Sequence, residues 1–146
     1  MMQIVIPTDD SVARWVATRL PDDVQFDASD KSVGIAKDDK LIAAAVYHDH
    51  LPDVRNCQVS FASAGPGWAS KRTVAALLSP AFVEMGCIRI TALIRKKNKP
   101  SRKLVEGLGF KLEGTLRKQF LTDSMCVYGL LKWEADKWLE KYYGQT

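Results

Sequence analysis

The stretch Ile88–Arg117, IRITALIRKKNKPSRKLVEGLGFKLEGTLR, constrains the fold of this chain most. Ile88, Ile90, Ala92 and Ile94 alternate with Arg89, Thr91, Leu93 and Arg95, a period of two that predicts a strand. Lys96–Pro100 breaks the pattern with three lysines, an Asn and a Pro. Ser101 is placed to cap a helix in which Leu104, Val105 and Leu108 share a face. Gly107 and Gly109 end that helix, and Phe110 opens another extended segment. The unit is therefore strand, polar break, short helix, Gly-Phe, strand. It puts the chain in the α/β or α+β class, around a mixed sheet flanked by helices.

The remaining segments agree with that class. Gln3–Ile6 predicts a first strand and Ser11–Leu20 a helix with Val12, Trp15 and Val16 on its apolar stripe. Lys31–Lys37 and Leu41–His48 predict a hairpin around Asp38-Asp39, followed by a loop over His48–Asp53. The near-continuous apolar run LIAAAVY reads as a central strand buried on both faces. Asn56–Ser63 is the next strand, and Ser70–Met85 a helix that Pro80 must kink or split. Lys111–Thr122 and Ser124–Trp133 predict a last hairpin joined near Asp123, and Glu134–Tyr142 a closing helix. At 146 residues, with no internal repeat or linker, the expectation is a single domain over residues 1–146.

Charge and cysteine usage narrow the function classes. Three cysteines without CxxC spacing suggest buried thiols in a reducing, cytoplasmic setting, and two histidines without ligand spacing argue against a zinc site. No apolar run approaches the roughly 18 residues of a membrane span, and no secretory leader is visible. The net charge of +4 admits nucleic acid as a partner, but Arg95–Lys103 lacks the interleaved aromatics of a single-strand platform. Basic clusters on loops beside helix starts suit a phosphorylated ligand instead. The sharpest case is Ala64-Gly65-Pro66-Gly67-Trp68-Ala69-Ser70-Lys71-Arg72. There a Gly-containing turn opens a helix whose first turn carries two cations, the unfavourable end for positive charge unless an anion sits nearby. The spacing is not that of a P-loop.

The ordered set Asn98-x-x-Ser101, Leu104, Leu108-Gly109-Phe110, Glu113-Gly114, Arg117 and Tyr128-Gly129-Leu130-Leu131 resembles the C-terminal half of the GNAT superfamily of acyl-CoA-dependent N-acyltransferases. It is most similar to the branch that acetylates ribosomal-protein N-termini. The short N-terminal half resembles compact acetyltransferases encoded in phage genomes. The resemblance implies a GNAT-like, mostly antiparallel sheet and acetyl transfer from acetyl-CoA to a protein N-terminus or small amine, by direct attack on the thioester, with no metal. The alternative is a non-catalytic GNAT-like domain that binds CoA or a protein partner.

The resemblance also implies where the ligands sit. Gly67 and Ala69 match the last two positions of the family's pyrophosphate loop, but Ala64 stands where Gln or Arg is expected. The implied cofactor set is Phe61, Ala62, Gly67, Trp68, Ala69, Ser70, Lys71, Arg72, Asn98, Ser101 and Arg102, with Lys103 beside it. Asn98 would reach the pantetheine arm, with its strand splayed to admit it. The tyrosine acid found in many members is replaced by Val105. Tyr128, Ser101, Cys126 or a water are the substitutes. His48, with Asp49 and His50, and Glu113 are candidate bases, since an imidazole accepts a proton near neutral pH. The last hairpin and the tail with Trp133, Trp138, Tyr142 and Tyr143 form either a homodimer surface or a cap on the core.

Overall fold

A computed structural model describes the backbone of residues 1–143 and the side chains of residues 1–140. In chain order the elements are β1 (Gln3–Val5), α1 (Ser11–Arg19), β2 (Lys31–Lys37), β3 (Lys40–Leu51), β4 (Asn56–Ser63), α2 (Lys71–Ser79), β5 (Arg89–Arg95), α3 (Lys99–Leu108), β6 (Lys111–Phe120), β7 (Asp123–Leu131) and α4 (Asp136–Tyr143). The strands form one sheet in the order β1-β2-β3-β4-β5-β7-β6. Every neighbouring pair is antiparallel except β4 and β5. This is the mixed sheet that the sequence pattern predicts, with the mostly antiparallel pairing that the resemblance implies.

The two faces of the sheet carry separate cores. On one, Val12 and Val16 of α1 pack on Ala44, Val46 and Ala62. On the other, Leu77, Leu78 and Phe82 pack on Val33, Ile35, Ala43, Ala45 and Tyr47, with Leu139 of α4 in the same cluster. β3 feeds both, so its run of three alanines lets helices approach from each side. Burying one leucine such as Leu77 contributes roughly 1.5–3 kcal/mol, so this layer carries much of the stability. Trp138 joins it and donates from Nε1 to the Leu108 carbonyl at 3.0 Å, whereas Trp133 is exposed. Tyr142 and Tyr143, also read as dimer surface or cap, lie outside the described side chains.

Pro80 splits its helix as expected. α2 stops at Ser79, and residues 80–84 form a wider π turn. Pro80 has no N–H to offer one turn back, and Ser79 Oγ donates to the Ala76 carbonyl instead, at 3.1 Å. The buried Tyr47 hydroxyl donates to the Leu77 carbonyl at 2.6 Å. Asp38 and Asp39 both sit at positive φ, 52° and 64°, as a two-residue hairpin turn of the primed type requires.

Three expected boundaries are corrected. The segment read as a loop over His48–Asp53 is strand as far as Leu51, because an irregularity between His48 and Leu51 absorbs Asp49 at φ 50°. Gly107 lies inside α3, and only Gly109, at φ 106°, ends it. The last hairpin turns at Leu121-Thr122, with Asp123 already paired to Phe120, and Trp133 follows β7 in a 3-10 turn. No helix among the described residues is long and apolar enough to cross a membrane.

Candidate active site

β4 and β5 pair over only three positions, Asn56 with Arg89, Cys57 with Ile90 and Gln58 with Thr91. Beyond them the strands part. The wedge between them is a cavity of about 210 Å³, walled by Val59, Ser60 and Phe61 on one side and Ala92–Arg95 on the other. Asn98, Ser101 and Val105 of α3 close one end, and the segment after α1, with Asp22 and Val24, covers the other. That segment is held down by charge. Arg95 Nε donates to both Asp22 carboxylate oxygens at 3.1 Å, while its guanidinium lies 3.5 Å over the Phe120 ring. The Arg95 hydrogen bonds hold the Asp22 carboxyl below its usual range.

The polar break seen in the sequence makes the α3 end of this cleft. Asn98, not Ser101, is the helix cap: its side chain accepts from the Ser101 N–H at 3.3 Å. Asn98 takes this role because Pro100 at the start of the helix has no N–H to satisfy. Ser101 is thereby carried into the first turn, where it lines the wedge, and Val105 lines it one turn later.

A groove of about 560 Å³ adjoins the wedge and shares Phe61 and Ser101 with it. Ala62, Trp68 and Leu104 line it, with Lys103 as its cation. Trp68 is buried and its Nε1 donates to Ser63 Oγ at 3.1 Å. Gly67 turns the loop at φ 90°, and Ser70 with Thr73 forms a capping box on α2. The expected cofactor residues thus divide. Phe61, Ala62, Trp68, Asn98 and Ser101 line the wedge or groove, whereas Gly67, Ala69 and Ser70 sit in the loop outside the lining. Lys71 is exposed, and Arg72 Nη1 donates to the Met2 carbonyl at 3.0 Å. Arg102 also turns away: its Nε donates to the Tyr128 hydroxyl at 3.0 Å and its Nη1 to the Lys96 carbonyl at 3.1 Å.

Tyr128, one of the expected acids, does not line the wedge or the groove. It is buried on β7, where its hydroxyl donates to Glu106 Oε2 at 2.7 Å and accepts from Arg102, both on α3. Burial raises its hydroxyl pKa, opposed by the Arg102 hydrogen bond. Both arms of the hydroxyl are committed to α3. His48 does line the wedge. Its Nδ1 lies 2.5 Å from Asp49 Oδ2 and its Nε2 lies 3.0 Å from Ser60 Oγ. Ser60 is one of the cleft residues that sequence reasoning missed, with Asp22 and Gln58 among the others. Its only signal is the polar series Asn56, Gln58, Ser60 on alternate positions of a central strand. Among the described residues no cluster of His, Cys, Asp and Glu is placed to hold a metal.

No protein-family model and no curated protein sequence matches the chain. Solved structures do. A spermidine N-acetyltransferase chimera from Vibrio cholerae and hSSAT superposes with a TM-score of 0.70 at 14% identity, covering 92% of this chain and 98% of that one. A putative acetyltransferase from T. thermophilus gives 0.62 at 21% identity, covering 82% and 68%. A further putative acetyltransferase gives 0.64 at 20% identity over the same shares. At these identities the likeness is one of fold. This chain has the GNAT-like fold of these acetyltransferases, with the β4–β5 wedge and the groove beside it as its candidate site.

Proposed function

We propose that the chain is an acetyl-CoA-dependent N-acetyltransferase that moves an acetyl group to an amine by direct attack on the thioester. The observation that carries this reading is the continuity of two cavities of different character at Phe61 and Ser101. The wedge is narrow and largely apolar, which suits a pantetheine arm and a small acceptor. The groove is wider and has Lys103 on its wall, which suits the phosphates of CoA. Gly65 and Gly67 have no heavy atom within 4 Å of where a Cβ would lie, so this loop leaves its outer face open. When bound, acetyl-CoA supplies the activated acyl group.

The chain's own residues then bind, orient and move protons. Lys103 holds phosphate charge. Phe61 and Ala62 on β4, and Asn98 and Ser101 on α3, flank the arm. Ser101 sits one helical turn before Val105, so its hydroxyl stands in for the missing tyrosine as donor to the departing sulfur. Asp22 and Arg95 hold the covering segment at the acceptor end, and His48 is the base. A protein N-terminus or a small amine is the acceptor. A thiolate is already a tolerable leaving group, so positioning accounts for much of the acceleration.

Isothermal titration of acetyl-CoA tests this reading. Lys103→Glu is expected to weaken binding about ten- to a hundredfold, the loss of a charge-assisted contact. Arg72→Glu, which perturbs a cation turned toward Met2, is expected to bind like the wild type. No acetyl-CoA binding by the wild type would overturn the proposal.

A further inference from the structure

We propose that Ser60, His48 and Asp49 form a proton path out of the acceptor cleft, from Ser60 Oγ through the His48 ring to a second cavity on the Asp49 side. The inference rests on the N-acetyltransferase reading and supplies that reaction with its proton exit.

The geometry fixes who donates. An ionised carboxylate only accepts, so the 2.5 Å contact with Asp49 Oδ2 places the hydrogen of a neutral His48 on Nδ1. Nε2 is then bare, and the 3.0 Å contact makes it the acceptor of the Ser60 hydroxyl proton. Ser60 lies on the wall of the wedge and keeps lone pairs for an incoming N–H. Asp49 meets the ring of its own chain neighbour from a left-handed backbone, at φ 50°, in the β3 irregularity. A non-glycine residue rarely holds that conformation unless the surroundings over-determine it.

His48 and Asp49 also belong to different cavities. His48 and Ser60 line the wedge, whereas Asp49 lines one of about 600 Å³ with His50, Asp27, Asp30, Lys31 and Glu84. The ring links Ser60 on one side to Asp49 on the other and packs on Phe26 at 5.6 Å between centroids. The charged groups facing the ring from the wedge are Asp22 and Arg95, which neutralise one another. On the far side stand Asp49 and the mixed charges of the second cavity.

The neutral amine nitrogen attacks the thioester carbonyl carbon; the C–N bond forms and the C–S bond breaks. The nitrogen gives its surplus proton to Ser60 Oγ while the Ser60 hydroxyl proton passes to His48 Nε2. The thiolate leaves and takes the Ser101 hydroxyl proton, which water then replaces. His48 releases its Nδ1 proton to solvent through the Asp49 side, and exchange with water then restores the Nδ1–H tautomer. Nothing is oxidised or reduced. Asp49 is a positioning residue, since it acts through the ring.

Two measurements test the path. The first needs no substrate: ¹⁵N NMR of the histidine rings, with His50→Gln to assign His48. The expected signature is a neutral His48 protonated on Nδ1 and bare on Nε2, mixed with the other tautomer in Asp49→Asn. A wild-type His48 protonated on Nε2 overturns the path. The second is the pH dependence of acetyl transfer from acetyl-CoA to benzylamine, 1,4-diaminobutane and an alanine-terminated peptide. General-base removal predicts a loss of about a hundredfold or more in kcat for His48→Gln, with loss of the acidic limb of the profile. Asp49→Asn is expected to shift that limb, and Ser60→Ala to lower kcat without changing acetyl-CoA affinity. Unchanged profiles in all three variants, with normal binding and transfer, overturn the path and leave the N-acetyltransferase reading intact. Absence of acetyl-CoA binding by the wild type overturns both.

Discussion

Asn98 is the position where a structural role and a ligand role are separable by experiment. Its side-chain oxygen caps α3 through the Ser101 N–H, and the same residue lines the wedge. Replacing an Asn cap by Ala costs about 0.5–2 kcal/mol. The 3.3 Å bond is long for an N–H···O contact, which places the cost in the lower half of that range, near 1 kcal/mol. In a domain of this size that lowers Tm by roughly 2–4 °C. Asp is an equally good cap, so Asn98→Asp is expected to unfold within about a degree of the wild type. What Asp lacks is the amide donor. If that amide meets the pantetheine arm, its loss weakens acetyl-CoA binding by about 0.5–1.5 kcal/mol, roughly a few-fold to tenfold. The assays are thermal unfolding by circular dichroism and calorimetric titration on both variants. Expected is a Tm drop in Asn98→Ala only and an affinity loss in both. An unchanged Tm in Asn98→Ala would refute the cap, and wild-type affinity in Asn98→Asp would refute the ligand contact.

Other perturbations read other parts of the structure. Tyr47→Phe strips the Leu77 carbonyl of its buried donor and is expected to cost about 1–3 kcal/mol, seen as a lower midpoint in urea unfolding. Asp22 has its folded-state pKa lowered by Arg95, so its contribution is present above the unfolded value near pH 3.9 and lost as pH falls through the folded value. The Tm gap between wild type and Asp22→Asn should therefore hold from pH 8 to about pH 5 and close in more acidic buffer. A Cβ on Gly129 would meet the Glu113 carboxylate at 2.5–2.6 Å, and that carboxylate pairs with Arg89. Gly129→Ala is expected to push it aside. It loses a half-exposed ion pair worth about 0.2–1 kcal/mol and gains a similar amount from a stiffer unfolded chain. Its net effect should lie within about 1 kcal/mol of zero, and in a Glu113→Ala background it should be stabilising. A loss above about 2 kcal/mol would mean the backbone, not the side chain, gives way.

Strong local punctuation is what made the fold legible. Pro80, Gly109, the Asp38-Asp39 turn and the break at Lys96–Pro100 each impose a backbone choice that distant packing does not reverse. The loop expected over His48–Asp53 failed because strand pairing with β4 outweighed a sequence rich in turn formers, at the expense of a left-handed Asp49. Ser60 was hidden for a different reason. A polar residue on alternate strand positions reads as a solvated face, and only the parting of β4 from β5 turns that position into a cleft wall. Lys71 and Arg72 are cations at a helix start, yet the partner of Arg72 is the Met2 carbonyl, seventy positions away and invisible to any local pattern. The removal of Tyr128 from the cleft likewise depends on Arg102 and Glu106 of α3, which only the packed structure brings to its hydroxyl.

The three-position seam between β4 and β5 has a mechanical consequence. It divides the sheet into a four-strand leaf and a three-strand leaf that share a short parallel hinge. A molecule laid into the wedge touches both leaves and so takes the place of the missing lateral rungs. Bound ligand would then be a structural member, and its departure would loosen the seam before either leaf. Amide exchange should record this as slow protons at Val33–Ile35 and Ala43–Ala45, which pair within the four-strand leaf, and ligand-dependent ones along Val59–Phe61 and Ala92–Ile94.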